Sequence, residues 1–200
     1  MLGQKLSGNG DILSFAYNSD EVVNGIGKDP ADLSNPPGPT IAGVIDARDA
    51  TTSPNILDGY IIQEGVIPEA LAPLVQSMFE VPGQVRLGTV RYNALRQLLS
   101  SAKSRIFGPY AKDGSIKRTQ TLLVMSHDNN EGILTLVGDA PYLEFVGVGK
   151  TEQVSRLRAV LGQASSAIGG TLVDVPSYAG KCSHDVLMRI IVTLLFAANA

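Results

Sequence analysis

The order of strand-like and helix-like segments constrains the fold of this 200-residue chain more than any other feature. Runs rich in Val, Ile, Leu and Thr are separated in some places by polar turns and in others by long amphipathic helices. A doubly wound parallel sheet needs a helix after nearly every strand, and that regular alternation is absent. The pattern therefore predicts an α+β fold, with a mostly antiparallel sheet and helices packed on one side.

Six segments have the composition of strands: 12–18, 40–49, 58–65, 119–126, 133–137 and 171–175. The second and third are neighbours of similar length, which favours an antiparallel pair. The polar residues 127–132 predict a hairpin loop, from which 133–137 returns along 119–126. Four prolines within 29–39 predict a surface loop, because proline fits neither a regular helix nor a central strand.

Three helices are predicted between these strands. The first follows Pro68, a residue tolerated in the first helical turn. The second spans about 92–107, and its apolar residues recur at helical spacing. These are Leu95, Leu98, Leu99, Ala102 and Ile106. Thr151 is the expected N-cap of the third helix.

Composition excludes several classes of protein. An apolar content of 44% supports a real core, while a net charge of −3 argues against a nucleic-acid or anionic-membrane surface. The single cysteine, Cys182, excludes an internal disulfide and a thiolate-rich metal site. The N-terminus lacks a signal-peptide core, so we expect an intracellular protein. The apolar run 186–200 is too short to span a bilayer, so we expect 179–200 to be an atypical apolar segment that follows residues 1–178.

Glu64 is the one carboxylate that the sequence singles out. It stands near the end of the mostly apolar strand segment 58–65, just before Gly65. A carboxylate in apolar surroundings can exchange protons near neutral pH, which predicts a general base. The competing interpretation is an edge-strand glutamate that faces water.

Several other motifs resemble ligand sites but fail on spacing. Gly8 and Gly10 lack the third glycine of a dinucleotide loop, since Leu13 stands there. The Gly-Lys-Thr sequence at 149–151 lacks the first glycine of a phosphate-binding loop, whose place is taken by Glu144. The polar loop 127–132 is out of phase with a calcium-binding loop. His127 and His184 lie far apart in sequence, and no third ligand is in view that would complete a metal site with them. No metal site is predicted.

Five segments together resemble one enzyme family. They are 7–11 (SGNGD), 18–20 (NSD), 24–27 (NGIG), 61–68 (IIQEGVIP) and 122–128 (LLVMSHD). Similar segments occur in the same order in the glucose–methanol–choline (GMC) family of flavin oxidoreductases, in its cholesterol-oxidase-like branch. The resemblance covers about residues 1–178. It implies the substrate-binding domain of an FAD-dependent enzyme, whose mostly antiparallel sheet covers the flavin and forms the pocket for an alcohol or sterol.

The resemblance also assigns roles to individual residues. Glu64 matches a glutamate that lies over the substrate and acts as the base in an associated isomerisation. Ile62, two residues earlier and so on the same face, would line the pocket. Met125 resembles an apolar pocket position, and Asn9 and Gly10 match a turn that approaches the flavin.

Important parts of the family pattern are missing. The chain contains neither the flavin-binding glycine motif nor the later histidine and asparagine segments that complete catalysis. We therefore expect a fragment of an FAD-dependent oxidoreductase acting on the CH–OH group, which binds no FAD alone and is inactive alone. The alternative is a non-catalytic module that binds an apolar ligand or another protein.

Overall fold

The structure is a computed structural model that describes residues 3–23, 25–26, 41–49, 55–80, 94–145 and 150–174, without the side chains of Glu69, Met78, Glu80 and Ala94. The predictions for the proline-rich loop 29–39 and for the apolar segment 179–200 lie outside the described residues. So do Asn24 and Gly27 of the segment 24–27, and Gly149 of the sequence 149–151.

The described residues form an α+β fold. The strands are β1 (Ile12–Tyr17), β2 (Val44–Ala47), β3 (Tyr60–Gly65), β4 (Gln120–Ser126), β5 (Ile133–Val137), β6 (Ala140–Glu144) and β7 (Thr171–Asp174). The α-helices are α1 (Ala72–Glu80), α2 (Ala94–Phe107) and α3 (Glu152–Ala167). Among the described helices, none is long and apolar enough to cross a membrane.

Five strands form one antiparallel sheet in the order β2-β3-β4-β1-β7. The predicted pairing of β2 with β3 is confirmed. β3 and β4 share the longest register, which runs from Tyr60 opposite Ser126 to Gly65 opposite Thr121. β3, β4 and β1 are therefore the interior strands, and residues 61–65 and 122–126 of the segments singled out in the sequence lie on β3 and β4.

The prediction that helices pack on one side of the sheet is wrong. Side chains alternate along β1, and each face of the sheet has its own buried cluster. Phe15 packs beneath α1, with its ring centroid 5.2 Å from that of Phe79. Ile12 belongs to the opposite cluster, with Leu157 and Leu161 of α3. Both faces of β1 are apolar, so each requires a covering helix.

The predicted hairpin between β4 and β5 is also wrong. β5 pairs with β6 through a two-residue turn at Gly138 and Asp139, and the two strands form a separate sheet. The physical reason is that both edges of β4 are already hydrogen-bonded, to β3 and to β1. Sequence reasoning missed β6, although a Gly-Asp pair between apolar runs is a typical hairpin signal.

α3 begins as the sequence predicts. Thr151 caps its N-terminus, where the side-chain Oγ1 accepts a hydrogen bond from the Val154 N–H at 3.3 Å. Gly169, with a φ of +70°, follows the helix and turns the chain into β7. A Cβ at this position would lie 2.2 Å from the Asp20 carboxylate, so a larger residue here would require that side chain to move.

Candidate functional site

Glu64 lies on β3, which is an interior strand and not an edge strand. It pairs with Leu122 of β4, and its backbone N–H donates to the Gly43 carbonyl at 3.1 Å. The side chain is partly exposed. Its Oε2 atom lies 3.5 Å from the place of a Cβ at Gly43, so the carboxylate stands beside the edge formed by the β2 segment.

The two predicted pocket residues lie on opposite faces of the sheet. Ile62 pairs with Val124, whereas Met125 pairs with Ile61, and paired residues point to the same side. Ile62 is 2% exposed and belongs to the core beneath α3. Glu64 lies on the same face as Ile62, because it stands two positions after Ile62 on the same strand. The structure therefore brings Glu64 and Ile62 to one face and places Met125 on the other.

Asn9 and Gly10 form a tight turn against the end of β4. Both residues have a φ of +56°. The Ser126 N–H donates to the Asn9 carbonyl at 3.0 Å, and Ser126 Oγ donates to the Gly10 carbonyl at 3.2 Å. A Cβ at Gly10 would lie 2.6 Å from Ser126 Oγ, so only glycine fits. We call residues 7–11 and 126–130 the turn cluster.

Asp128 organises the turn cluster. Its Oδ2 accepts a hydrogen bond from the Gly8 N–H at 2.6 Å, and its Oδ1 accepts from the Asn130 N–H at 3.1 Å. Burial acts to raise the pKa of Asp128, but hydrogen bonds from Gly8, Ser7, Asn130 and Gly10 outweigh it and hold that pKa below its usual range. Asp128 therefore stays ionised at neutral pH.

Asp11 is the second carboxylate of the turn cluster. Burial, followed by repulsion from the Asp128 carboxylate, raises the pKa of Asp11 to about 6. Two carboxylates whose pKa values are pushed apart form the arrangement that acid–base chemistry uses. Sequence reasoning missed Asp11 because the partial burial of this side chain depends on the fold; its position directly after the Ser7–Gly10 turn was the available signal.

The turn cluster does not fit the phosphate groups of FAD. The Gly8 and Gly10 N–H groups, which could hold a phosphate, already donate to Asp128. The Asn9 N–H donates to Ser7 Oγ at 3.1 Å. The charge on Asp128 would also repel a pyrophosphate. In the described part of the chain, Asn9 and Gly10 are explained by the contacts that join β1 to β4.

Glu64 and the turn cluster are separate sites. Ser126 lies opposite Tyr60, four residues before Glu64 on β3. At a rise of about 3.3 Å per residue, the separation along the strand is about 13 Å. No single small ligand group touches both. Within the described residues, no group of three His, Cys, Asp or Glu side chains is arranged to hold a metal ion.

The motif 18–20 anchors α2. Asn18 is 2% exposed and has a φ of +56°. Its Nδ2 donates to the Gln97 carbonyl at 3.0 Å, and its Oδ1 accepts from Ser100 Oγ at 2.7 Å. Arg96 pairs with Asp20 at 2.7 Å. These contacts give the motif a structural role in joining α2 to the end of β1.

Comparisons with protein-family models, with curated proteins and with solved structures found no match. The resemblance to the GMC family is carried by the five sequence segments.

Proposed function

We propose that this chain is a partial substrate-binding domain of an FAD-dependent GMC oxidoreductase that acts on the CH–OH group of an alcohol or sterol. The observation that carries the proposal is the convergence of the segments that resemble the family. Residues 7–11 contact 126–128, and the 61–65 strand pairs directly with β4. The Ile67 N–H donates to the Gly25 carbonyl at 2.7 Å. Segments far apart in sequence thus meet around one pair of strands.

In this proposal Glu64 is the base that takes a proton from the substrate. Its partly exposed carboxylate, beside Gly43, is accessible to a ligand, and Ile62 is buried in the core on the same face of β3. Met125 belongs to the opposite face and is not part of the same pocket. The turn cluster offers no phosphate site, so we assign the holding of FAD to protein segments other than this cluster. FAD, where bound, supplies the hydride acceptor for oxidation of the alcohol.

Two titrations of the purified chain test the proposal. We expect no saturable binding of FAD, followed by flavin fluorescence, and saturable binding of cholesterol, followed by displacement of a fluorescent sterol. Stable FAD binding would contradict the assignment to a partial domain without a flavin site. Absence of sterol and alcohol binding would contradict the assignment of substrate class.

A second candidate function is a non-catalytic binding or interaction module. It is favoured by the outer side of α2, where large apolar side chains are exposed. Glu64→Gln separates the two candidates in the sterol titration. For an interaction module the affinity is unchanged, whereas a carboxylate that contacts the substrate hydroxyl predicts a loss of about tenfold, the worth of one hydrogen bond to a charged group.

A further inference from the structure

α2 is packed with its polar side toward the protein. Ser100 and Ser104 are 3% and 1% exposed. The Ile116 N–H donates to Ser104 Oγ at 3.3 Å, and the Ser115 N–H donates to the Ser100 carbonyl at 3.0 Å. Together with the Asn18 contacts, these hydrogen bonds fix the rotation of the helix about its own axis. An amphipathic surface helix normally has the opposite orientation, with its apolar stripe inward.

The apolar side of α2 consequently faces outward. We define the outer face by four residues, which are Leu95, Leu98, Leu99 and Ile106, exposed by 72%, 69%, 55% and 72%. All four, with Ala102, form the stripe that the sequence predicts at helical spacing. An exposed, contiguous apolar surface of this kind is typical of a site that binds another protein or a membrane.

Basic side chains border the outer face on both sides. At about 100° per residue, Lys103 and Arg105 project to opposite flanks of the stripe. Both are exposed. Lys103 lies 4.0 Å from Asp113, a pair in which each side chain keeps nearly half its exposure. Residues 94–119 contain six Lys or Arg and one Asp, in a chain whose net charge is −3. Arg96 is paired with Asp20 and Arg118 with Asp113, so the basic groups that border the outer face are Lys103 and Arg105.

We propose that the outer face of α2 docks on an anionic lipid bilayer. The four apolar side chains enter the boundary between headgroups and acyl chains, and Lys103 and Arg105 contact lipid phosphates. Amphipathic helices with large apolar residues on one side and basic residues beside them bind membranes in this way. Lys103 and Arg105 supply the attraction to the anionic surface, although the total charge of the chain is negative.

The charge pattern favours a bilayer over a second copy of the chain. Two outer faces packed against each other would bring Lys103 and Arg105 of both copies together, and like charges at an interface are unfavourable. The basic flanks instead match an anionic surface. This inference does not depend on the proposed flavoenzyme function, because vesicle binding requires neither a flavin nor turnover.

The test is flotation of the full chain with vesicles of phosphatidylcholine alone and of phosphatidylcholine mixed with phosphatidylserine. We expect binding to the mixed vesicles, and weaker binding in high salt. The double variant Leu98→Ser/Ile106→Ser should bind about a hundredfold more weakly, at about tenfold for each buried side chain. The double variant Lys103→Gln/Arg105→Gln should lose the preference for phosphatidylserine.

The matched control is Leu136→Ser/Val137→Ser, which removes two side chains of the β5–β6 hairpin that are 70% and 66% exposed. It should bind vesicles as the unchanged chain does. Circular dichroism and thermal melting identify variants that fail to fold. The proposal is overturned if the chain does not float, or if the control loses as much binding as Leu98→Ser/Ile106→Ser. It is also overturned if sedimentation velocity shows a dimer that only the Leu98→Ser/Ile106→Ser variant abolishes.

Discussion

Replacing Asp11 with asparagine should stabilise the protein at neutral pH. The pKa of Asp11 is raised to about 6, first by burial and then by the Asp128 charge, so the folded state prefers the protonated acid. Asparagine is neutral at every pH and has nearly the same shape. The substitution therefore removes a charge that the fold disfavours.

The magnitude follows from the difference between the folded and unfolded pKa values. A pKa of about 6 in the folded state against about 3.9 in the unfolded chain corresponds to about 3 kcal/mol. Because Asp11 is only partly buried, solvent screening reduces this to about 1–2 kcal/mol. The stabilising effect of protonated Asp11 is complete below about pH 4 and is lost as the pH rises through about 6. Asp11→Asn should therefore match the unchanged chain at about pH 4 and exceed it at about pH 8.

The assay is urea-induced unfolding of both proteins, followed by circular dichroism from about pH 4 to about pH 8. Asp128→Asn is the control. The pKa of Asp128 is lowered by its hydrogen bonds, so removing its charge should destabilise the protein near neutral pH. A loss of stability in Asp11→Asn that is the same at every pH would refute the placement of Asp11 in a carboxylate pair.

Three further substitutions, one of them a control, test the contacts that hold the turns and α2. Gly10→Ala combines a φ of +56° with a Cβ 2.6 Å from Ser126 Oγ, and should lower the free energy of unfolding by about 2–3 kcal/mol. Gly138→Ala is the control. Gly138 also has a positive φ, +64°, but a Cβ there would meet no atom within 4 Å, so the substitution should cost only about 1 kcal/mol. If thermal melts showed the same loss of stability for both glycine variants, the close contact at Gly10 would be refuted. Asn18→Ala should lower the free energy of unfolding in urea by about 2–4 kcal/mol, because Ser100 Oγ and the Gln97 carbonyl lose a buried hydrogen-bond partner. It should also speed amide hydrogen exchange in α2. Unchanged exchange would contradict the role of Asn18 in holding α2.

Much of the fold could be predicted from local signals in the sequence. The Thr151 cap and the periodicity of α2 are properties of short segments, and both predictions hold in the structure. The position of each element in the sheet depends on pairing between distant residues. The register of β3 with β4 places Ile62 and Met125 on opposite faces of the sheet, and a shift by one residue would place them on the same face. The partial burial of Asp11 likewise depends on a fold that no short segment specifies.

The side of α2 that faces the protein likewise could not be predicted from a short segment of the sequence. Its apolar stripe is visible in the sequence, but the side that faces the protein is decided by Asn18 and by residues 115–116, which lie outside the helix. Buried hydrogen bonds cost free energy when they are left unmade, so these polar partners fix the orientation of the helix. The net charge of the chain also conceals the basic segment 94–119.

The proposed role of Glu64 is tested most directly by an isomerisation that needs a base and no flavin. Cholest-5-en-3-one is converted to its conjugated isomer when a base removes a proton from the carbon between the ketone and the double bond, and the proton returns at the far end of that double bond. The inactivity expected of the chain alone concerns the oxidation, which needs FAD as the hydride acceptor. The isomerisation needs only the base, so the purified chain should catalyse it, as followed by the ultraviolet absorbance of the conjugated ketone. Glu64→Gln should lower the rate by about a hundredfold or more, and the exposed Glu144→Gln on β6 should leave it unchanged. Equal rates for the unchanged chain and Glu64→Gln would contradict the assignment of Glu64 as the base.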